Sequence, residues 1–74
     1  MSEKLNAIFR DRLRKKLEEY GWTQQDLADE LGVSKGYVSH LFNSKRGVGL
    51  STLEKLAELF KIDASWFISE KLKV

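Results

Sequence analysis

The side chains best suited to hydrogen bonding lie close together in the middle of the chain. They are Ser34, Lys35, Ser39, His40, Asn43, Ser44, Lys45 and Arg46. Their hydroxyl, imidazole, amide and cationic groups donate to and accept from polar atoms, and the cations also attract anions. This set predicts a surface that recognises a polar, negatively charged partner, and not a pocket that performs a reaction.

Catalytic and metal-binding chemistry finds little support in the sequence. His40 is the single histidine and cysteine is absent, so no second ligand stands at the spacing of a zinc site. The segment Gly47-Val48-Gly49 is too short for a phosphate-binding loop and follows no predicted strand. We therefore expect a protein that is not an enzyme and that has no metal, no cofactor and no small-molecule ligand.

A short helix must carry most of the polar groups. On a helical wheel at about 100° per residue, one arc is apolar and consists of Tyr37, Val38, Leu41 and Phe42. The opposite arc is polar or small and consists of Lys35, Gly36, Ser39, His40 and Asn43. Ser34 is the expected N-cap, and residues 43–50 have the composition of a loop. The pattern predicts a helix with a buried side and an exposed polar side.

A second short helix is predicted directly before this one. Thr23 and Asp26 have the spacing of a capping box, and Leu27 faces inward. Ala28 is small enough to let two helices cross closely, and Gly32 can adopt the left-handed conformation of a tight turn. These features predict a helix-turn-helix over residues 23–42.

Three further helices are predicted around this pair. The apolar stripe of the first consists of Leu5, Phe9, Leu13, Leu17 and Tyr20, with Gly21 as its end. Ser51 and Glu54 have the spacing of a capping box at the start of a fourth helix, and Asp63 is placed to cap a short fifth one. Because no strand pattern persists and proline is absent, the predicted fold class is all-α.

The composition fits one domain over residues 1–74. The chain has 74 residues, 42% of them hydrophobic, which is enough for a single core. It lacks cysteine, its longest apolar run is three residues, and residues 1–6 lack the pattern of a secretory signal. We therefore expect a cytoplasmic protein without a membrane span. The net charge of +2 is weak evidence for a nucleic-acid partner on its own.

Over nearly its whole length the sequence resembles the lambda-repressor-like helix-turn-helix family, the Xre and Cro/C1 type of regulators. The resemblance rests on the Thr-Gln-x-x-Leu-Ala opening at Thr23, the Gly32 turn, Asn43 after the third helix and the region of Trp66. It implies a compact five-helix DNA-binding domain with the helix-turn-helix at helices two and three. It also implies a transcriptional regulator of phage, plasmid or bacterial origin, with repression as the expectation for the family.

The sequence departs from the family pattern at two places. Many members carry a buried charged pair between helix one and the end of helix three, where this chain has Leu17 and Phe42. We expect an apolar contact in its place. Gly36 stands where relatives often carry an amide that contacts a base, so direct readout should depend on fewer residues.

The resemblance assigns a set of candidate DNA contacts. They are Thr23, Gln24, Gln25, Ser34, Lys35, Gly36, Tyr37, Ser39, His40, Asn43, Ser44, Lys45 and Arg46. Gln24 bonds either a phosphate or a neighbouring side chain that contacts a base, and Lys35 contacts either guanine or phosphate. Tyr37 either sends its hydroxyl to a phosphate or only completes the core. In the cationic run of the first helix, Arg10 and Arg14 are the only residues that we single out.

The predicted fifth helix has more apolar surface than so short an element usually hides in a monomer. We therefore predict a homodimer on a two-fold symmetric operator, with residues 63–74 as the dimerisation segment. The predicted contact residues are Trp66, Phe67, Ile68 and Leu72. The alternative is a protein-interaction module, such as an antitoxin or antirepressor, that docks through the fifth helix and binds DNA only secondarily.

Overall fold

The computed structural model describes residues 3–43 and 48–69, and these residues form α-helices joined by short turns. The helices are α1 (Glu3–Tyr20), α2 (Gln24–Leu31), α3 (Lys35–Asn43) and α4 (Leu50–Phe60), and the 3-10 helix Ala64–Phe67 follows them. The all-α prediction is confirmed. None of the described helices is both long and apolar enough to cross a membrane.

The first helix buries the middle of the predicted stripe, whereas Leu5 is half-buried and Tyr20 is exposed. Phe9, Leu13 and Leu17 are buried at a spacing of four residues, which places them on one face of α1. Gly21 ends the helix with a φ of 69°, and the N–H of Trp22 donates to the carbonyl of Leu17 at 2.8 Å. This left-handed ending turns the chain sharply toward α2.

The start and the end of α2 are as predicted. The backbone N–H of Asp26 donates to the Thr23 hydroxyl at 3.1 Å, and the N–H of Thr23 donates to the Asp26 carboxylate at 2.9 Å. This reciprocal pair satisfies two N–H groups that have no partner inside the helix. Gly32 caps the other end with a φ of 72°, a conformation that glycine adopts without steric cost.

The predicted capping box of α4 is wrong. The helix begins at Leu50 with Gly49 as its N-cap, and no side chain caps it. The carbonyl of Gly49 accepts from the N–H of Leu53 at 3.0 Å, so the helical hydrogen bonds start two residues before Ser51 would have begun them. Ser51 and Glu54 therefore lie inside the helix, where their spacing no longer serves a cap.

The predicted fifth α-helix is a 3-10 helix of four residues, which corrects the five-helix expectation to four α-helices and one 3-10 helix. Asp63 caps it as predicted, because its carboxylate accepts from the N–H of Ser65 at 3.0 Å. Hydrogen bonds from the backbone N–H and from the side chain of Ser65 hold the pKa of Asp63 below its ordinary value. The N–H of Trp66 then donates to the carbonyl of Asp63 three residues back, the tighter pattern of a 3-10 turn.

The core joins all of these elements. Its buried members are Phe9, Leu13, Leu17, Leu27, Ala28, Val38, Phe42, Leu53, Leu56, Phe60 and Phe67. Phe67 packs its ring between those of Phe9 and Phe60, at centroid distances of 5.8 and 6.4 Å. Since such aromatic contacts add to the energy of burial, the 3-10 helix is held against α1 and α4 from inside. Leu17 and Phe42 both belong to this core, as expected for the apolar replacement of a charged pair.

Candidate nucleic-acid interface

The helices α2 and α3 form a closely packed pair joined by the turn at Gly32. Ala28 and Val38, one from each helix, have no exposed surface. The N–H of Val33 donates to the carbonyl of Ala28 at 3.0 Å, which fixes the direction in which the chain leaves α2. The hydroxyl of Ser34 then accepts from the N–H of Tyr37 at 3.1 Å and caps α3. This arrangement is the helix-turn-helix that the sequence predicted.

The polar side of α3 is uncovered by the described chain. Lys35, Gly36, His40 and Asn43 are exposed and Ser39 is half-buried, while the buried residues of α3 are Val38, Leu41 and Phe42. The division agrees with the helical wheel at each of these positions. A convex helix with one bare polar side has the shape and chemistry to enter a major groove.

Packing does not require the glycine at the centre of this face. A Cβ built on Gly36 would meet only the Ser34 hydroxyl, at 3.8 Å, which is ordinary van der Waals contact. Larger side chains therefore fit at this position. The absence of a side chain leaves a shallow place on the face between Lys35 and Ser39.

The polar face is linked to the start of α2 by a hydrogen bond. The hydroxyl of Ser39 donates to the side-chain oxygen of Gln24 at 3.3 Å. This is a bond to a neighbouring side chain, one of the two partners considered for Gln24. The two N–H bonds of the Gln24 amide are not used by this interaction and can serve a partner outside the chain. Contact of either residue with DNA stays a prediction.

Tyr37 connects α3 to the first turn of α4. Its hydroxyl lies 2.5 Å from the hydroxyl of Thr52, and its side chain is 37% exposed at the edge of the polar face. The sequence analysis missed Thr52, since a partner 15 residues away leaves no local signal. The hydrogen bond holds the ring in one position beside the face.

Three other candidate residues use their side chains within the chain itself. Thr23 and Ser34 cap α2 and α3, and the amide of Gln25 donates to the Asp29 carboxylate at 2.9 Å. Thr23 and Ser34 thus fix where the two helices begin, and the Gln25 bond spans one turn within α2. The remaining candidates Ser44, Lys45 and Arg46 lie outside the described residues.

The basic residues of α1 have contacts of several kinds. The Arg14 guanidinium lies 5.6 Å from the centre of the Phe42 ring, and so α1 is attached to the end of α3 by a cation–π contact. Lys15 pairs with Asp11 at 3.4 Å on the exposed side. Arg10 is half-buried, and its contact with DNA stays a prediction.

The predicted dimer residues differ in their exposure. Phe67 is fully buried in the core of its own chain, so the prediction that its side chain reaches a partner is wrong. Trp66 and Ile68 are half-buried and keep part of their surface, and Leu72 lies outside the described residues. The physical reason is that the 3-10 helix turns Phe67 inward between two other rings.

An arginine of α1 holds this segment in place. The Arg12 guanidinium donates to the carbonyls of Trp66 and Ser69, the latter at 2.9 Å. It also lies 5.5 Å from the centre of the Trp66 ring, and the ammonium of Lys16 lies 4.9 Å from the same ring. Neither cation was singled out from the sequence, because nothing local reveals partners 50 or more residues away.

Metal binding is not supported in the part of the chain that the structure describes. No group of three or more histidine, cysteine, aspartate or glutamate residues there is arranged to hold a metal ion.

Comparison with known proteins identifies similar chains. A family model described as helix-turn-helix (HTH_3) matches residues 13–67. The chain is similar to the HTH-type transcriptional regulator PrpR of Mycobacterium tuberculosis, with 39% identity over 59 residues, 80% of this chain and 12% of that protein. It is also similar to the competence pilus inhibition repressor of Acinetobacter baylyi, with 44% identity over 45 residues, 61% of this chain and 41% of that protein. The matched segments thus span less than half the length of either relative. No solved structure gives a significant match.

Proposed function

The chain belongs to the helix-turn-helix family HTH_3, whose members are DNA-binding regulators and not enzymes, and we propose that it is a sequence-specific repressor of transcription. It binds double-stranded DNA with α3 in the major groove. The observation that carries the proposal is the bare polar side of α3, held away from the core by Val38, Leu41 and Phe42. A side that packed under other parts of the chain would have no access to base edges.

The chemistry of the face suggests how the contacts divide. The ammonium of Lys35 is a donor only, so it suits the two acceptors of guanine or a phosphate oxygen. The hydroxyl of Ser39 donates its hydrogen bond to Gln24, and its oxygen can still accept one. It therefore suits the amino group of adenine or cytosine. His40 and Asn43 lie farther along α3 and contact either base edges or the backbone. Ser44, Lys45 and Arg46 follow α3 in sequence and contact phosphates.

We further propose that the protein acts as a homodimer on a two-fold symmetric operator. In this docking mode, the two copies of α3 enter successive major grooves about 34 Å apart. The exposed parts of Trp66 and Ile68, together with Leu72, form the subunit contact. Repression is supported by the similarity of the chain to the competence pilus inhibition repressor of Acinetobacter baylyi. Operation in the bacterial cytoplasm follows from the same proposal.

The protein-interaction alternative has less support. It depended on a fifth helix with an apolar surface for docking a partner. Phe67 is buried in the core, and Arg12 and Lys16 lie over the Trp66 ring, so α1 already contacts much of that surface. What is left exposed is smaller than the sequence suggested.

Selection of bound sequences from a random pool of double-stranded DNA tests this proposal directly. We expect an inverted repeat whose half-sites are about one helical turn apart, bound by two chains in sedimentation of the complex. A variant with Lys35→Glu should enrich no sequence, whereas Lys15→Glu, the same charge change on α1, should enrich the same repeat. Failure of the unmodified protein to enrich any sequence would refute the assignment.

A further inference from the structure

A shallow groove lies between α2 and α4, apart from the residues proposed to contact DNA. It is lined by Glu30, Leu31, Lys55, Glu58 and Leu59. Leu31 and Leu59 pack against the core yet keep part of their surface exposed, and the three charged residues are exposed. The groove therefore has an apolar floor of two leucines and a charged rim.

The charges on the rim are unfavourable for the helices that carry them. Glu30 is the last residue but one of α2, and Glu58 lies two residues before the end of α4. The carboxyl end of a helix carries partial negative charge and is stabilised by cations and destabilised by nearby carboxylates. Neither helix has a basic residue in its last turn. The end of α2 thus adds to the negative potential of Glu30, whereas Lys61 follows α4 as its C-cap and offsets part of the potential at Glu58.

The lysine of the groove is not paired with either glutamate. Within residues 3–43 and 48–69, Lys55 forms no ion pair with Glu30 or Glu58, and the ion pairs found there lie on α1. The two carboxylates are therefore free to accept hydrogen bonds from a partner's cations. The rim carries two carboxylates and one ammonium, and this net negative charge disfavours nucleic acid and anionic lipid surfaces as occupants.

We propose that the groove between α2 and α4 docks a short segment of a partner protein in which aliphatic side chains alternate with lysine or arginine. The aliphatic groups cover Leu31 and Leu59, and the cations pair with Glu30 and Glu58 and offset the two helix ends. Burial of apolar area supplies the attraction, and the complementary charges supply the specificity. This interaction goes beyond DNA binding and does not depend on it.

The test uses a synthetic peptide, Arg-Leu-Lys-Leu-Arg, and the full chain with labelled leucine methyl groups. We expect NMR titration to shift the methyl signals of Leu31 and Leu59 before those of other leucines. Two control peptides, Glu-Leu-Glu-Leu-Glu and Arg-Ser-Lys-Ser-Arg, should cause no such shifts, because each lacks one half of the required chemistry. Shifts spread over other leucines, or none at all, would overturn the proposal.

A pair of variants with the same change in charge separates the groove from general electrostatics. Glu30→Gln with Glu58→Gln should weaken binding of the basic peptide about tenfold, while Glu3→Gln with Glu18→Gln on α1 should leave it unchanged. All four positions are exposed, so both variants should fold, as circular dichroism would verify. Equal weakening in the two variants would overturn the proposal.

One further result would overturn it in favour of another occupant. The sequence Lys71-Leu72-Lys73 has the same alternation, so a second copy of this chain is the competing occupant. Association between copies that is lost both in the groove variant and in Lys71→Glu with Lys73→Glu would assign the groove to self-association. DNA binding by the groove variant should be unchanged. If the docking proposal fails, the proposed regulatory function therefore stays intact.

Discussion

The hydroxyl of Ser39 on α3 donates to the side-chain oxygen of Gln24, the first residue of α2, across 3.3 Å. The bond joins the two helices at the polar face, one turn of α2 before the buried Ala28. We expect Gln24→Ala and Ser39→Ala each to weaken operator binding by about 0.5–1.5 kcal/mol, the net value of one hydrogen bond.

The two residues should also act as a unit. The double variant should then lose less affinity than the sum of the two single losses, because the second change removes a bond that is already broken. Binding titrations of the four proteins measure this coupling. Strictly additive losses would show that the bond has no part in DNA binding.

Replacement of Lys35 distinguishes base contact from phosphate contact. For Lys35→Ala we expect a loss of about 1–3 kcal/mol and relaxed preference at one base pair if the ammonium contacts guanine. If it contacts phosphate, the loss of affinity should be the same for all sequences. The slope of log affinity against log salt should then decrease by about one. Lys15→Ala is the control, since Lys15 pairs with Asp11 on α1. An unchanged affinity in Lys35→Ala would contradict the docking of α3.

Arg46 provides a second test of the backbone contact. In Arg46→Ala the slope of log affinity against log salt should decrease by about one, because one phosphate contact is lost. The selected sequence should stay the same, since a phosphate contact carries no base information. Binding measured at several salt concentrations, beside selection from a random pool, checks both parts. A changed consensus sequence would assign Arg46 to base recognition.

The two glycines of the helix-turn-helix should respond to alanine in opposite directions. Gly36→Ala should raise the free energy of unfolding by about 0.5–1 kcal/mol, because alanine favours the helix and a Cβ there has room. Gly32→Ala should lower it by about 1 kcal/mol, because its φ of 72° strains an L side chain. Urea denaturation gives both values. Destabilisation by Gly36→Ala would contradict the expectation that a Cβ fits at this position.

Replacement of Phe67 should change the free energy of unfolding and not the association of subunits. Phe67→Ala should lower the free energy of unfolding by about 3–5 kcal/mol, as expected for a large buried ring. Leu50→Ala is the matched control, since Leu50 is 78% exposed and should change stability by no more than about 0.5 kcal/mol. Thermal unfolding measures both.

A milder change at the same site tests the dimer. Phe67→Leu should keep the fold and leave the sedimentation of the protein unchanged, whereas Ile68→Ser should weaken any dimer. The reverse result, with dissociation only in Phe67→Leu, would restore Phe67 to the subunit contact.

Features decided within a few residues were determined by the sequence alone. The capping box of Thr23 and Asp26, the cap at Ser34 and the left-handed turn at Gly32 all occur as predicted. The polar side of α3 is also exposed as predicted. Each depends on hydrogen bonds or steric limits between near neighbours and on a period of 3.6 residues, so the local pattern was sufficient at these positions. The same kind of pattern failed at Ser51 and Glu54, because α4 begins two residues earlier, after Gly49.

Features that join distant parts of the chain were decided by the tertiary structure. The inward turn of Phe67, the hold of Arg12 on the carbonyls of Trp66 and Ser69, and the bond from Tyr37 to Thr52 have no local signature. From the sequence alone, an apolar residue near a helix end is equally compatible with burial in the core and with contact to a partner. The packing of α1, α4 and the 3-10 helix against one another determines which apolar side chains are buried in the core and which stay exposed to water.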